Sequence, residues 1–137
     1  MSLGIPLNTD STLKGQTVFL AERCGELMHN NIITDRTILD VMAFTMNAKS
    51  IPYQDKEAFE TYANEFIREY DYIFYISPYG LKIEDNGVRE TDEHYRDLID
   101  FTITTLIKRH GHKAGKIEKI SGSTEERIQQ ILNITGL

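Results

Sequence analysis

Residues 72–77, Tyr-Ile-Phe-Tyr-Ile-Ser, join five β-branched or aromatic side chains without a break and stop at Pro78. Such a run favours extended backbone. Its near-continuous apolar character suits a strand buried on both faces. Helical stripes flank it. Phe59, Tyr62, Ala63, Phe66, Ile67 and Tyr70 recur near a period of 3.6 before it. Tyr95, Leu98, Ile99, Thr102, Ile103 and Leu106 do the same after it. Strands alternating with helices imply parallel pairing and an α/β layered fold. In such sheets ligands gather at the carboxyl ends of the strands.

The remaining elements fit that pattern. Val18, Leu20, Ala21, Cys24, Leu27 and Met28 predict a helix over about 12–29, closed by Asn30-Asn31. Ile32-Ile33-Thr34 predicts a short buried strand entering Asp35-Arg36, although a run this short also fits other backbone states. A second helix carries Ile38, Leu39, Val41, Met42 and Phe44 and breaks at Ser50-Ile51-Pro52. Asp55 is placed to cap the next helix. Asn86-Gly87 signals a tight turn in the polar stretch 79–90, and Thr91 can cap the long helix after it. His110-Gly111 ends that helix, and Lys116–Ile120 gives a weaker strand signal. Ser123-Thr-Glu-Glu126 reads as a capping box before a last helix with Ile128, Ile131 and Leu132. The loops 34–37, 77–91 and 121–124 are therefore where chemistry is expected.

At 137 residues, one domain spanning 1–137 is expected, with residues 1–9 an irregular lead-in consistent with partly vector-derived sequence. The formal charge of −6 argues against non-specific nucleic-acid binding, which rests on cation–phosphate contacts. Cys24 is the one cysteine, so no internal disulfide forms and it reads as a core position. That usage suits the cytoplasm. No run has membrane-spanning length and no signal-peptide pattern opens the chain, so neither a membrane partner nor export is expected.

Three segments hold candidate site residues. In Ile32-Ile-Thr-Asp-Arg-Thr-Ile-Leu-Asp40, Asp35 is of the type that holds Mg²⁺ directly or through water. Arg36 beside it can grip a phosphate or carboxylate with two N–H groups. The plainer account is that Asp35 caps the next helix and Arg36 makes a surface ion pair. In the segment 77–96, long enough to act as a lid, Arg89 and Arg96 are cations of the kind that neutralise a transferring phosphoryl group. The plainer account there is a solvated hairpin with ordinary surface arginines. Its acidic residues do not fit a calcium loop, because the first ligand position would be Lys82. In Ser121-Gly122-Ser123, a small-residue turn lets a flat base approach the backbone, or simply caps a helix. His110-Gly111-His112 lacks partners for metal binding and reads as a loop. The basic run Lys108, Arg109, Lys113, Lys116 and Lys119 begins at a helix C-terminus, where cations are favourable anyway.

The order of these pieces resembles the P-loop kinase-like ATPase domains related to the nicotinamide-riboside kinase part of NadR-type proteins, and more distantly thymidylate kinase. The resemblance covers roughly residues 10–135. It rests on the helix before Asn30, then Ile-Ile-Thr-Asp-Arg-Thr-Ile-Leu-Asp, Tyr-Asp-Tyr-Ile-Phe-Tyr-Ile, Asp-Asn-Gly-Val-Arg-Glu and Ser-Gly-Ser-Thr-Glu-Glu-Arg-Ile, in that order. It implies a three-layer fold with ATP and magnesium as cofactors. Asp35 would serve magnesium or the acceptor, and Arg36 the acceptor or phosphate. Arg89 and Arg96 would steady the phosphates, and Gly122 and Ser123 would lie near adenine.

One departure outweighs these matches. The family opens with a strand and Gly-x-x-x-x-Gly-Lys-Ser/Thr, whose amides and lysine hold the phosphates. Nothing here supplies it. Gly111-His-Lys-Ala-Gly-Lys116 is one residue short between its glycines, and Ile117 stands where a hydroxyl is required. The expectation is therefore a partial P-loop fold lacking its first strand. It would be a fragment of an ATP-dependent kinase or ATPase for a nucleoside- or nucleotide-type phosphate acceptor, inactive alone and binding no cofactor tightly. The alternatives are a non-catalytic nucleotide-binding or interaction module without a P-loop and, ranked last, a hydrolase of unrelated mechanism. Without a central strand, the segments around Ile32 and Ile73 would pair directly, or a second copy would cover the gap as a homodimer.

Overall fold

The computed structural model describes residues 4–78 and 93–137. In chain order the elements are α1 (Leu13–Glu26), α2 (Ile38–Met46), α3 (Tyr53–Ala63), β1 (Tyr72–Ile76), α4 (Glu93–His110), β2 (Lys116–Ile120) and α5 (Thr124–Thr135). A 3₁₀ segment, Asn64–Glu69, continues α3 toward β1. The two strands pair in parallel, Tyr72 beside Lys116 through Ile76 beside Ile120. Helices packed on a parallel pair make this an α/β chain.

The core is built around α2. Six of its nine residues, Ile38, Leu39, Val41, Met42, Ala43 and Thr45, are buried. A helix this apolar can only sit inside, and it packs against α1, α3 and α4. Its one polar core position is satisfied. The Thr45 hydroxyl donates to the Val41 carbonyl (2.8 Å) and accepts from Gln16 Nε2 (3.0 Å). Asn47 Nδ2 donates to Thr102 Oγ1 at 2.9 Å, fastening the end of α2 to α4.

The lead-in is not loose. Lys49 N–H donates to the Thr9 carbonyl (3.0 Å) and the Ser50 hydroxyl to the Ser11 carbonyl (2.6 Å). A Cβ on Gly15 would stand 2.6 Å from Ile5 Cγ2, so Ile5 lies against bare helix backbone. From Ile5 onward, part of the expected lead-in belongs to the fold.

Several expectations need correction. Ile32-Ile33-Thr34 forms no strand, and Ile33 is 88% exposed. Positive φ at Asn31 (55°) and Arg36 (81°) turns the chain on either side of this segment. No strand among the described residues lies alongside it, so Ile32 and Ile73 do not pair. Nor is β1 buried on both faces. Ile73 faces the core beside Ile117, while Tyr72 and Ile76 are 40% and 41% exposed. A two-stranded sheet covered on one face leaves the alternate side chains in solvent. Asp55 does not cap α3. Pro52 holds the cap position without a side-chain bond, and Asp55 lies in the first turn, where a carboxylate still suits the helix dipole. Helix α1 stops at Glu26 rather than at 29, and Leu98 is exposed on α4. The expected turn at Asn86-Gly87, the cap at Thr91 and the lid carrying Arg89 lie outside the described residues.

Candidate functional site

Asp35 and Arg36 form a tight turn at the start of α2. Arg23 of α1 donates from a guanidinium nitrogen to the Asp35 carbonyl (3.2 Å), and the Thr34 hydroxyl donates to the Arg36 carbonyl (2.9 Å). Arg36 takes a φ of 81°, which non-glycine residues adopt reluctantly. The Arg36 guanidinium lies 5.7 Å from the centre of the Phe44 ring, an attraction of cation to π face. Phe44 in turn meets Tyr95 of α4, ring centres 6.4 Å apart. Both Asp35 and Arg36 are exposed. Among the described residues, the Asp35 carboxylate accepts no hydrogen bond and joins no ion pair, so it is open to a hydrated cation.

The amides behind this turn are already occupied. Ile38 N–H donates to the Tyr70 hydroxyl (3.1 Å), Leu39 N–H to Thr37 Oγ1 (3.1 Å) and Asp40 N–H to the Thr37 carbonyl (3.1 Å). Thr37 N–H donates to Asp40 Oδ2 at 2.8 Å, closing a capping box. The cap is therefore Thr37, not Asp35. Burial pushes the Asp40 carboxyl up, and its bond from Thr37 and the nearby Arg36 only partly offset that. Burial likewise pushes Tyr70 up to about 12. A helix start whose amides are so engaged has little left to offer a phosphate.

Gly122 and Ser123 leave the carboxyl end of β2. Gly122 adopts φ +100°, and a Cβ there would meet Glu126 Oε1 at 3.0 Å, so glycine is required. Ser123 N–H donates to Glu126 Oε1 (3.0 Å), and Glu126 N–H donates to the Ser123 hydroxyl (3.1 Å). These bonds to Ser123 hold the Glu126 carboxyl below its usual range. Gln130 brackets the turn, donating to the Ser121 carbonyl (2.6 Å) and accepting from its N–H (3.2 Å).

The candidates are thus only partly assembled. Asp35 and Arg36 act as one unit, tied through Phe44 to the beginning of α4. Arg96, also on α4, lies 3.6 Å from the Asp97 carboxylate. No hydrogen bond or ion pair among the described residues joins Asp35 or Arg36 to Arg96, Gly122 or Ser123, and Arg89 is not among those residues. Sequence reasoning missed Tyr70, Arg23 and Phe44, which hold the turn in place. Each looked like an ordinary member of an apolar stripe or a surface charge. The Thr37-Ile-Leu-Asp40 capping box was legible in principle.

The histidine loop also gained a role. Glu60 Oε2 lies 2.6 Å from an Arg109 guanidinium nitrogen and 2.7 Å from His110 Nε2, joining α3 to the end of α4. Among the described residues, no three His, Cys, Asp or Glu side chains cluster as metal ligands. No described helix is long and apolar enough to cross a membrane. Cys24 packs against the core, and burial pushes its thiol up, away from the reactive thiolate. No family model, no curated protein and no solved structure matches this chain.

Proposed function

We infer that this chain is part of an ATP-dependent phosphotransferase for a small nucleoside- or nucleotide-type acceptor. One observation carries the proposal. The strands β1 and β2 run parallel in register, with Ile76 beside Ile120. The chain after Ile76 and the Gly122-Ser123 turn therefore leave the same carboxyl end of one sheet. Loops at that end are where α/β folds gather ligands. On this proposal Asp35 serves a hydrated magnesium ion or the acceptor, and Arg36 serves the acceptor or a phosphate. Arg89 and Arg96 neutralise phosphate charge, and Gly122 with Ser123 lies beside the base.

The residues present do not fit the triphosphate. No Gly-x-x-x-x-Gly-Lys-Ser/Thr loop occurs in the 137 residues, the Ile38 and Leu39 amides of α2 are held by Tyr70 and Thr37, and the Glu126 amide of α5 is held by Ser123. No transfer step is therefore assigned to this chain alone. The pure protein, incubated with ATP, magnesium and a nucleoside and nucleotide panel, is expected to form no phosphorylated product. Sustained turnover would overturn that expectation. The parent activity is tested on the gene. An in-frame phosphate-loop motif upstream of the Met1 codon, joined to this chain, should restore transfer, and Arg89→Ala should then lower kcat.

The self-satisfied caps favour a second reading, a nucleotide-binding or interaction module without turnover. A ribosome-binding start at Met1, with no upstream motif in frame, would select that reading over the first.

A further inference from the structure

We draw no further inference here: the strongest candidate, the apolar face of α5 with Ile128 and Leu132 exposed on a helix that buries none of its residues, carries nothing because nothing in the structure shows what covers it.

Discussion

Tyr70 illustrates how one residue can serve two elements. Its hydroxyl accepts the Ile38 amide and its carbonyl accepts the Gly115 amide at 2.9 Å. Tyr70→Phe removes the first bond and leaves Ile38 N–H seeking another acceptor. The expected loss is about 1 kcal/mol in urea denaturation. Its pH signature follows from burial, which raises the hydroxyl from 10.0 to about 12. The folded state keeps a proton that the unfolded state releases. The stabilisation is therefore whole below pH 10 and fades as pH rises from 10 toward 12. Wild-type stability should fall across that window more steeply than Tyr70→Phe, measured by urea midpoints at each pH. At this scale the sequence showed Asp35 and Arg36 as a chemical pair. It could not show that Arg36 turns through a positive φ beside an Asp35 carbonyl held by Arg23 of α1.

Elements were more legible than residues where their signals were local. The periodic stripes announced α1 to α4, and the Ser123–Glu126 capping box announced α5. β2 was found on a weak signal because its partner secures it. Gly115 shows how closely the strands must start: a Cβ there would stand 2.5 Å from the Asp71 carbonyl oxygen. Backbone cannot retreat as a flexible side chain can. Gly115→Ala should cost about 1–3 kcal/mol in thermal or urea unfolding. Amide exchange should quicken first along β1 and β2. Ile32-Ile33-Thr34 failed as a strand for the converse reason. Apolar composition favours extended backbone, but a strand exists only where a neighbour takes its hydrogen bonds. None of the described strands does.

Across the whole molecule, long-range polar ties close the core that α2 organises. The Glu60 tie is one, reaching α4 from α3. Burial alone would raise the Glu60 carboxyl. The hydrogen bonds and charges of His110 and Arg109 together overcome that and hold it below its ordinary value of 4.5. Its contribution is therefore present above pH 4.5 and lost as pH falls below it. Glu60→Gln should cost about 1 kcal/mol at neutral pH, since Arg109 is half exposed and solvent screens that pair. The gap from wild type should narrow on acidification below pH 4.5, followed by thermal denaturation.

By itself the sequence determined the helices, the two strands, the parallel pairing and the α5 cap. These follow from periodicity, branching and capping chemistry within a few residues. The uninterrupted run at 72–77 named β1 but overstated its burial. Only the tertiary structure decided that one face of β1 meets the core and the other meets solvent. It also decided that the Ile38 amide at the start of α2 belongs to Tyr70. Burial and amide partners depend on segments distant in the chain, and no local pattern encodes which of them arrive.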